Sequence, residues 1–181
     1  DCFRARGINY RTVVANSEEE ARRLYEEEGC DVFTADISAL AASRSLMRNP
    51  GAHVTLPNVI SKEPLGPVVR RDDPVWTAIV RWTVYATILG EELGLTSKTV
   101  EQARETAIGP ETRRLLGVDG ELGPLLGLSK DWAYQVIRQV GAYHEIFRRD
   151  LGADSALQLD RGLNALWSAP APGLMYAPPM R

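Results

Sequence analysis

The stretch Gly29-Cys30-Asp31-Val32-Phe33-Thr34-Ala35-Asp36, continued by Ile37-Ser38-Ala39-Leu40, holds the side chain with the clearest chemical opportunity. Val32 and Phe33 favour extended backbone, so a short buried strand is predicted over Asp31 to Ala35. Ser38-Ala39-Leu40-Ala41-Ala42 reads as the helix that follows. Asp36 then stands where the strand ends. In open α/β sheets ligands bind outside the carboxyl ends of the strands, and an Asp at that place is a candidate contact for a ligand's cationic group. Asp is also a preferred helix N-cap, so the residue has two readings, ligand carboxylate or cap.

Other reactive side chains offer less. The acids Glu18 to Glu20 and Glu26 to Glu28 fall on a charged helical run and read as a solvated face, where nothing tunes their protonation. Cys2 and Cys30 allow a disulfide, and their spacing does not decide it. His53 and His144 are far apart in sequence and have no Cys or carboxylate at metal-ligand spacing, so no metal and no cofactor are expected. There is no Gly-rich phosphate loop and no Gly-x-Ser-x-Gly elbow. Trp76, Trp82, Trp132 and Trp167 are most simply core or interface residues. Catalysis is therefore the weaker class of function.

These residues need elements to position them. The chain has 181 residues and a net charge of −3, with Lys and Arg scattered along it. That argues against a nucleic-acid partner, which wants a basic face. No apolar run is long enough to span a bilayer. The opening Asp1-Cys2-Phe3-Arg4 is not a signal-peptide pattern, and composition does not settle the compartment. Asp1 to Arg6 reads as a helix tail ended by Gly7, and residues 8–14 alternate as a strand. Asn16 and Ser17 offer an N-cap to a helix with Ala21, Leu24 and Tyr25 as its apolar stripe. The strand to Ala35, a helix from Ile37 to Arg48, a turn at Asn49-Pro50-Gly51 and a strand at His53 to Leu56 follow. Alternating strands and helices predict a small parallel sheet.

Pro57 to Pro67 is a connector. Asp73 caps and Pro74 opens a long helix ended by Leu93-Gly94, apolar over much of its circumference and expected to be buried on more than one side. A helix capped by Thr96 or Ser97, another over Glu111 to Leu116, a loop over residues 117–127 and one amphipathic helix from about Lys130 to Asp150 come next. Arg161 to Trp167 adds a turn or two, and the last dozen residues are Pro-rich and irregular.

The opening stretch, together with Leu56-Pro57-Asn58-Val59-Ile60-Ser61-Lys62-Glu63-Pro64-Leu65-Gly66-Pro67, Asp131-Trp132-Ala133-Tyr134, Arg161-Gly162-Leu163-Asn164-Ala165-Leu166-Trp167 and Tyr176-Ala177-Pro178-Pro179-Met180-Arg181, resembles the general L-amino-acid-binding periplasmic proteins of ATP-driven (ABC) uptake systems. The likeness covers essentially the whole chain but only the C-terminal half of those proteins. It implies part of a two-lobed α/β periplasmic-binding-protein fold, a small parallel sheet followed by a helix-rich C-terminal portion. Residues 1–60 would be an incomplete α/β portion of the second lobe, and 61–66 the hinge crossing of Ser61, Lys62, Glu63, Pro64, Leu65 and Gly66. Residues 67–109 would be the C-terminal part of the first lobe, and 110–181 a helical extension. The resemblance implies a free L-amino acid as ligand, a membrane permease and the missing N-terminal half (or a second copy) as partners, and the periplasm as location. It implies that Asp36 takes the ligand's α-ammonium, while the Arg that holds the carboxylate lies upstream of this sequence. It also implies that Cys30 pairs with an upstream cysteine whose place Cys2 does not obviously occupy. Two rivals stand beside it: a remnant or interaction module that has lost the site, and a small lyase or dehydratase, which would need a general acid facing Asp36.

Overall fold

The structure, a computed structural model, describes residues 2–61 and 64–180. The chain divides into two compact units, Asp1–Leu65 and Gly66–Arg181.

In the first unit the helices form where their caps predict. α1 spans Cys2–Ala5, and Gly7 follows it at φ +66°. α2 spans Glu18–Glu26, its start fixed by Ser17, whose Oγ accepts the Glu20 N–H at 3.1 Å. Glu20 in turn accepts the Asn16 N–H at 2.7 Å, which seals the entry to the helix. α3 spans Ile37–Ser45 and packs on α2. A 3-10 turn, Pro50–Ala52, lies where the Asn49-Pro50-Gly51 turn is expected.

The small parallel sheet expected over this unit is not formed by the described residues. The predicted strands over 8–14, 31–35 and 53–56 have no ladder, and the bridge that is present, Leu166 to Met175, lies in the second unit. The physical reason is that a strand is defined by its partner. β-branched residues favour extended backbone, but a sheet is stabilised by cross-strand pairing. Here Val14 and Val54 remain 81% and 78% exposed.

The second unit is built on α4, Pro74–Glu92. Asp73 Oδ1 accepts the Trp76 N–H at 2.8 Å and Pro74 occupies the first turn, as the sequence predicts. Ala86, Thr87, Ile88 and Gly90 are buried in its C-terminal half. A Cβ on Gly90 would sit 3.0 Å from Ile137 Cδ1, so the glycine sets how closely α4 approaches α8. The other helices are α5 (Val100–Thr106), α6 (Pro110–Leu115), α7 (Leu122–Leu125), α8 (Trp132–Val140) and α9 (Tyr143–Asp150). One core joins Ala86, Val100, Leu116, Trp132, Ile137 and Met180. The N-terminal half of α4 is less covered: Val75 and Trp76 are exposed, and an open depression of about 260 Å³ runs along Thr77, Val80, Arg81, Val84 and Tyr85 beside Pro67 and Val69.

The single helix expected from Lys130 to Asp150 is instead two. Gly141 separates α8 from α9 at φ +90°, which an L side chain rarely adopts. A carboxylate stabilises the break: Glu145 Oε2 accepts the Ala142 N–H at 2.9 Å and the Ser97 N–H at 2.8 Å, and its Oε1 accepts the Ser97 hydroxyl at 2.7 Å. Burial alone would raise the Glu145 carboxyl, but these bonds outweigh it and hold the group below the usual glutamate value of 4.5. A depressed folded value stabilises above 4.5 and loses that stabilisation as pH falls through the folded value. Glu145→Gln is expected to cost on the order of 1 kcal/mol at pH 7. The gap from wild type should close as pH is lowered below about 4.5, and thermal melts from pH 7 to pH 3 measure it.

Candidate functional site

Asp36 is placed by α2, α3 and the segment between them. Tyr25 on α2 anchors that segment, with its ring 6.3 Å from Phe33 and 5.3 Å from His53. The Tyr25 hydroxyl lies 3.1 Å from His53 Nδ1. The acids of α2, expected to form a solvated face, bind across to α3 and its exit: Ser43 Oγ donates to Glu18 Oε1 at 3.1 Å, and the Arg48 N–H donates to Glu26 Oε1 at 2.9 Å. Together these contacts fix where the chain turns into α3.

At that turn Asp36 occupies the N-cap position, with φ −57° and ψ +146°. Its backbone carbonyl accepts the Leu40 N–H at 2.8 Å, but its side chain makes no cap hydrogen bond. The residue is half-buried, and the ion pairs among the described residues do not include it. Capping therefore occupies Asp36 by position only. A half-buried carboxylate without a committed donor can accept an ammonium group through charge-assisted hydrogen bonds.

Of the expected hinge residues, Ser61, Pro64, Leu65 and Gly66 are exposed, and Lys62 and Glu63 lie outside the described residues. The division between the compact units falls between Leu65 and Gly66. Neither Cys2 nor Cys30 is in a disulfide; Cys2 Sγ accepts from Arg6 Nη1 at 3.1 Å. Among the described residues no three His, Cys, Asp or Glu side chains cluster to hold a metal, and no helix is long and apolar enough to cross a membrane. An open depression of about 500 Å³ lies in the second unit along Glu101, Arg104, Glu105, Gly117, Val118 and Tyr134. Arg104 stacks there over Tyr134 at 4.6 Å and reaches Asp131 at 3.4 Å, so its one central cation is already engaged.

The triad of Tyr25, Phe33 and His53 was not visible as a group in the sequence. Its signal was the α2 apolar stripe facing inward positions of two extended segments.

Along all 181 residues the chain is 43% identical to the putative amino-acid ABC transporter-binding protein YhdW of Escherichia coli K12, and it covers 52% of that protein. The chain is homologous to about half of an amino-acid ABC transporter-binding protein. It is also 44% identical to the general L-amino acid-binding periplasmic protein AapJ of Rhizobium johnstonii, of which it covers 53%. The glutamate/glutamine/aspartate/asparagine-binding protein BztA of Rhodobacter capsulatus is 43% identical, again with 53% covered. A solved ABC transporter periplasmic binding protein from Brucella ovis, with glutathione bound, superposes at a TM-score of 0.86 with 43% identity. That match takes in 99% of this chain and 56% of the Brucella chain. The chain thus spans about half the length of the relatives it matches, and its fold is part of a periplasmic-binding-protein fold. No protein-family model matches it. The relatives' names are those of transport-binding proteins, not of enzymes.

Proposed function

We propose that this chain is the C-terminal half of a periplasmic solute-binding protein that captures L-amino acids for ABC-transporter uptake and is not itself an enzyme. The observation that carries the reading is 43–44% identity along the whole chain to proteins bearing that function in their names. The uncommitted carboxylate of Asp36 at the start of α3 supports it. Asp36 would accept the ligand's α-ammonium, and donors on the remaining half would hold the α-carboxylate. The glutathione bound by the Brucella relative fits the same chemistry, because its γ-glutamyl end carries a free α-ammonium beside an α-carboxylate. The permease would be the membrane partner, and the periplasm the compartment.

In this reading residues 61–66 are the hinge, and binding shifts the population toward a closed form by contacts made from both lobes. Small-angle scattering of the protein carrying both halves is expected to show a smaller radius of gyration at saturating L-amino acid. An unchanged radius at saturation would remove the hinge assignment and leave the binding assignment standing.

A further inference from the structure

We propose that Tyr25 is a positioning residue for recognition of the ligand's α-ammonium. Through Phe33 it sets where the Asp36 carboxylate stands, and its hydroxyl bond to His53 steadies the ring that does so. The inference deepens the reading above and rests on it for the role of Asp36.

The Asp36 side chain does not anchor itself. It makes no cap hydrogen bond, so the carboxylate goes where the backbone carries it. Beyond Asp36, Ser43 and Arg48 tie α3 and its exit to Glu18 and Glu26 of α2, but these contacts lie seven and twelve residues further along the chain. Before it, Phe33 is three residues away and half-buried against the Tyr25 ring, at a centroid distance of 6.3 Å. Phe33 is the nearest of these anchors to Asp36, and Tyr25 is its seat.

Tyr25 does more than fill space there. Its ring centroid also lies 5.3 Å from that of His53, and ring pairs at such separations attract beyond the area they bury. Its hydroxyl is 3.1 Å from His53 Nδ1. One side chain on α2 therefore grips both extended segments, 31–35 through Phe33 and 53–56 through His53. The hydrogen bond is directional where apolar contact is not, so it holds the ring in one orientation. The requirement at Asp36 is equally directional. A charge-assisted bond from an ammonium spans about 2.7–2.9 Å, and a shift of residues 33–36 by a fraction of an ångström stretches or misaligns it. A side chain acting in this way need not touch the ligand.

A double-mutant cycle in the protein carrying both halves tests this, read by calorimetric titration of L-glutamate and by a thermal melt of each variant. Tyr25→Leu should weaken binding about tenfold or more, the effect of spoiling a hydrogen bond to a charged group. In an Asp36→Asn background the same change should alter affinity less than about twofold, because the bond it misplaces is already gone. Tyr25→Phe keeps the ring against Phe33 and loses only the hydroxyl bond, so it should bind within about fivefold of wild type. Phe33→Leu empties the other side of the contact and should repeat the loss, which keeps the test decisive if Tyr25→Leu fails to fold. A lowered melting temperature with unaltered affinity in both variants would make Tyr25 a packing residue and overturn the proposal. Equal losses from Tyr25→Leu in the two backgrounds would also overturn it, since the effect would not pass through Asp36. In either case a loss of binding in Asp36→Asn leaves the ammonium reading standing. Unchanged affinity in Asp36→Asn overturns that reading and this proposal with it.

Discussion

Asp36→Asn is expected to weaken L-amino-acid binding by the complete receptor by about 2–5 kcal/mol, the range for truncating one partner of a buried charge pair. That is roughly 30-fold to several thousand-fold in affinity. The thermal stability of the same variant should be unchanged. Asn caps a helix about as well as Asp, and the Asp36 side chain makes no cap hydrogen bond that could be lost. The two readings of the residue therefore separate cleanly. A cap predicts unchanged binding, and an ammonium acceptor predicts a large loss of binding at constant stability. Calorimetric titration and a melt of both proteins give the answer, and equal affinity would leave Asp36 with no ligand role.

The second large effect is structural. Arg161→Ala is expected to destabilise the second unit by about 2–3 kcal/mol. Arg161 Nη2 lies 3.0 Å from both carboxylate oxygens of Glu91 and donates to the Asn164 carbonyl at 2.8 Å. The guanidinium also stacks 5.3 Å from the Tyr143 ring centroid and 5.2 Å from that of Phe147. It thus ties the C-terminal segment to α4 and α9. The Arg161 and Glu91 side chains are 25% and 15% exposed. Breaking a fully buried pair costs about 3–5 kcal/mol, and partial exposure lowers that. Most of the cost is the Glu91 carboxylate left without a partner. Combining Glu91→Leu with Arg161→Met should therefore recover much of the loss, since apolar replacement of a buried pair is often neutral. Urea denaturation of the single and double variants measures both effects. Wild-type stability in Arg161→Ala would mean that solvent screens the pair and that the C-terminal segment is held by Met180 and its neighbours.

Local chemistry was the legible part of the fold. Ser17 and Asp73 announced their helices because a cap is a contact over three residues, and Pro74 marked a first turn for the same local reason. The break at Gly141 was not legible, because the α8 and α9 stripes run on through it and the carboxylate that stabilises it also bonds Ser97, 48 residues away in sequence. α7 forms in a stretch that reads as loop because Leu122, Leu126 and Leu128 pack on the core, which overrides its glycines. The strands were predicted from Val32, Phe33 and Val54, but those residue types report only a preference for extended backbone. Among the described residues no ladder turns that preference into a sheet. For the site, the identity of Asp36 and its place at the start of α3 were legible. That its carboxylate stays clear of the α3 backbone was not, since φ, ψ and rotamer decide it.

Calorimetric titration of L-glutamate tests the central claim most directly, using this chain alone and the protein that carries both halves. The reading predicts saturable binding at micromolar or tighter affinity for the complete protein. It predicts no measurable heat for the isolated chain up to about 1 mM, because one ammonium contact does not offset the entropy of immobilising a free ligand. Equal binding by both would contradict the division of the site between two halves. Absence of binding by the complete protein, to L-glutamate and to the other L-amino acids in turn, would contradict the receptor assignment itself.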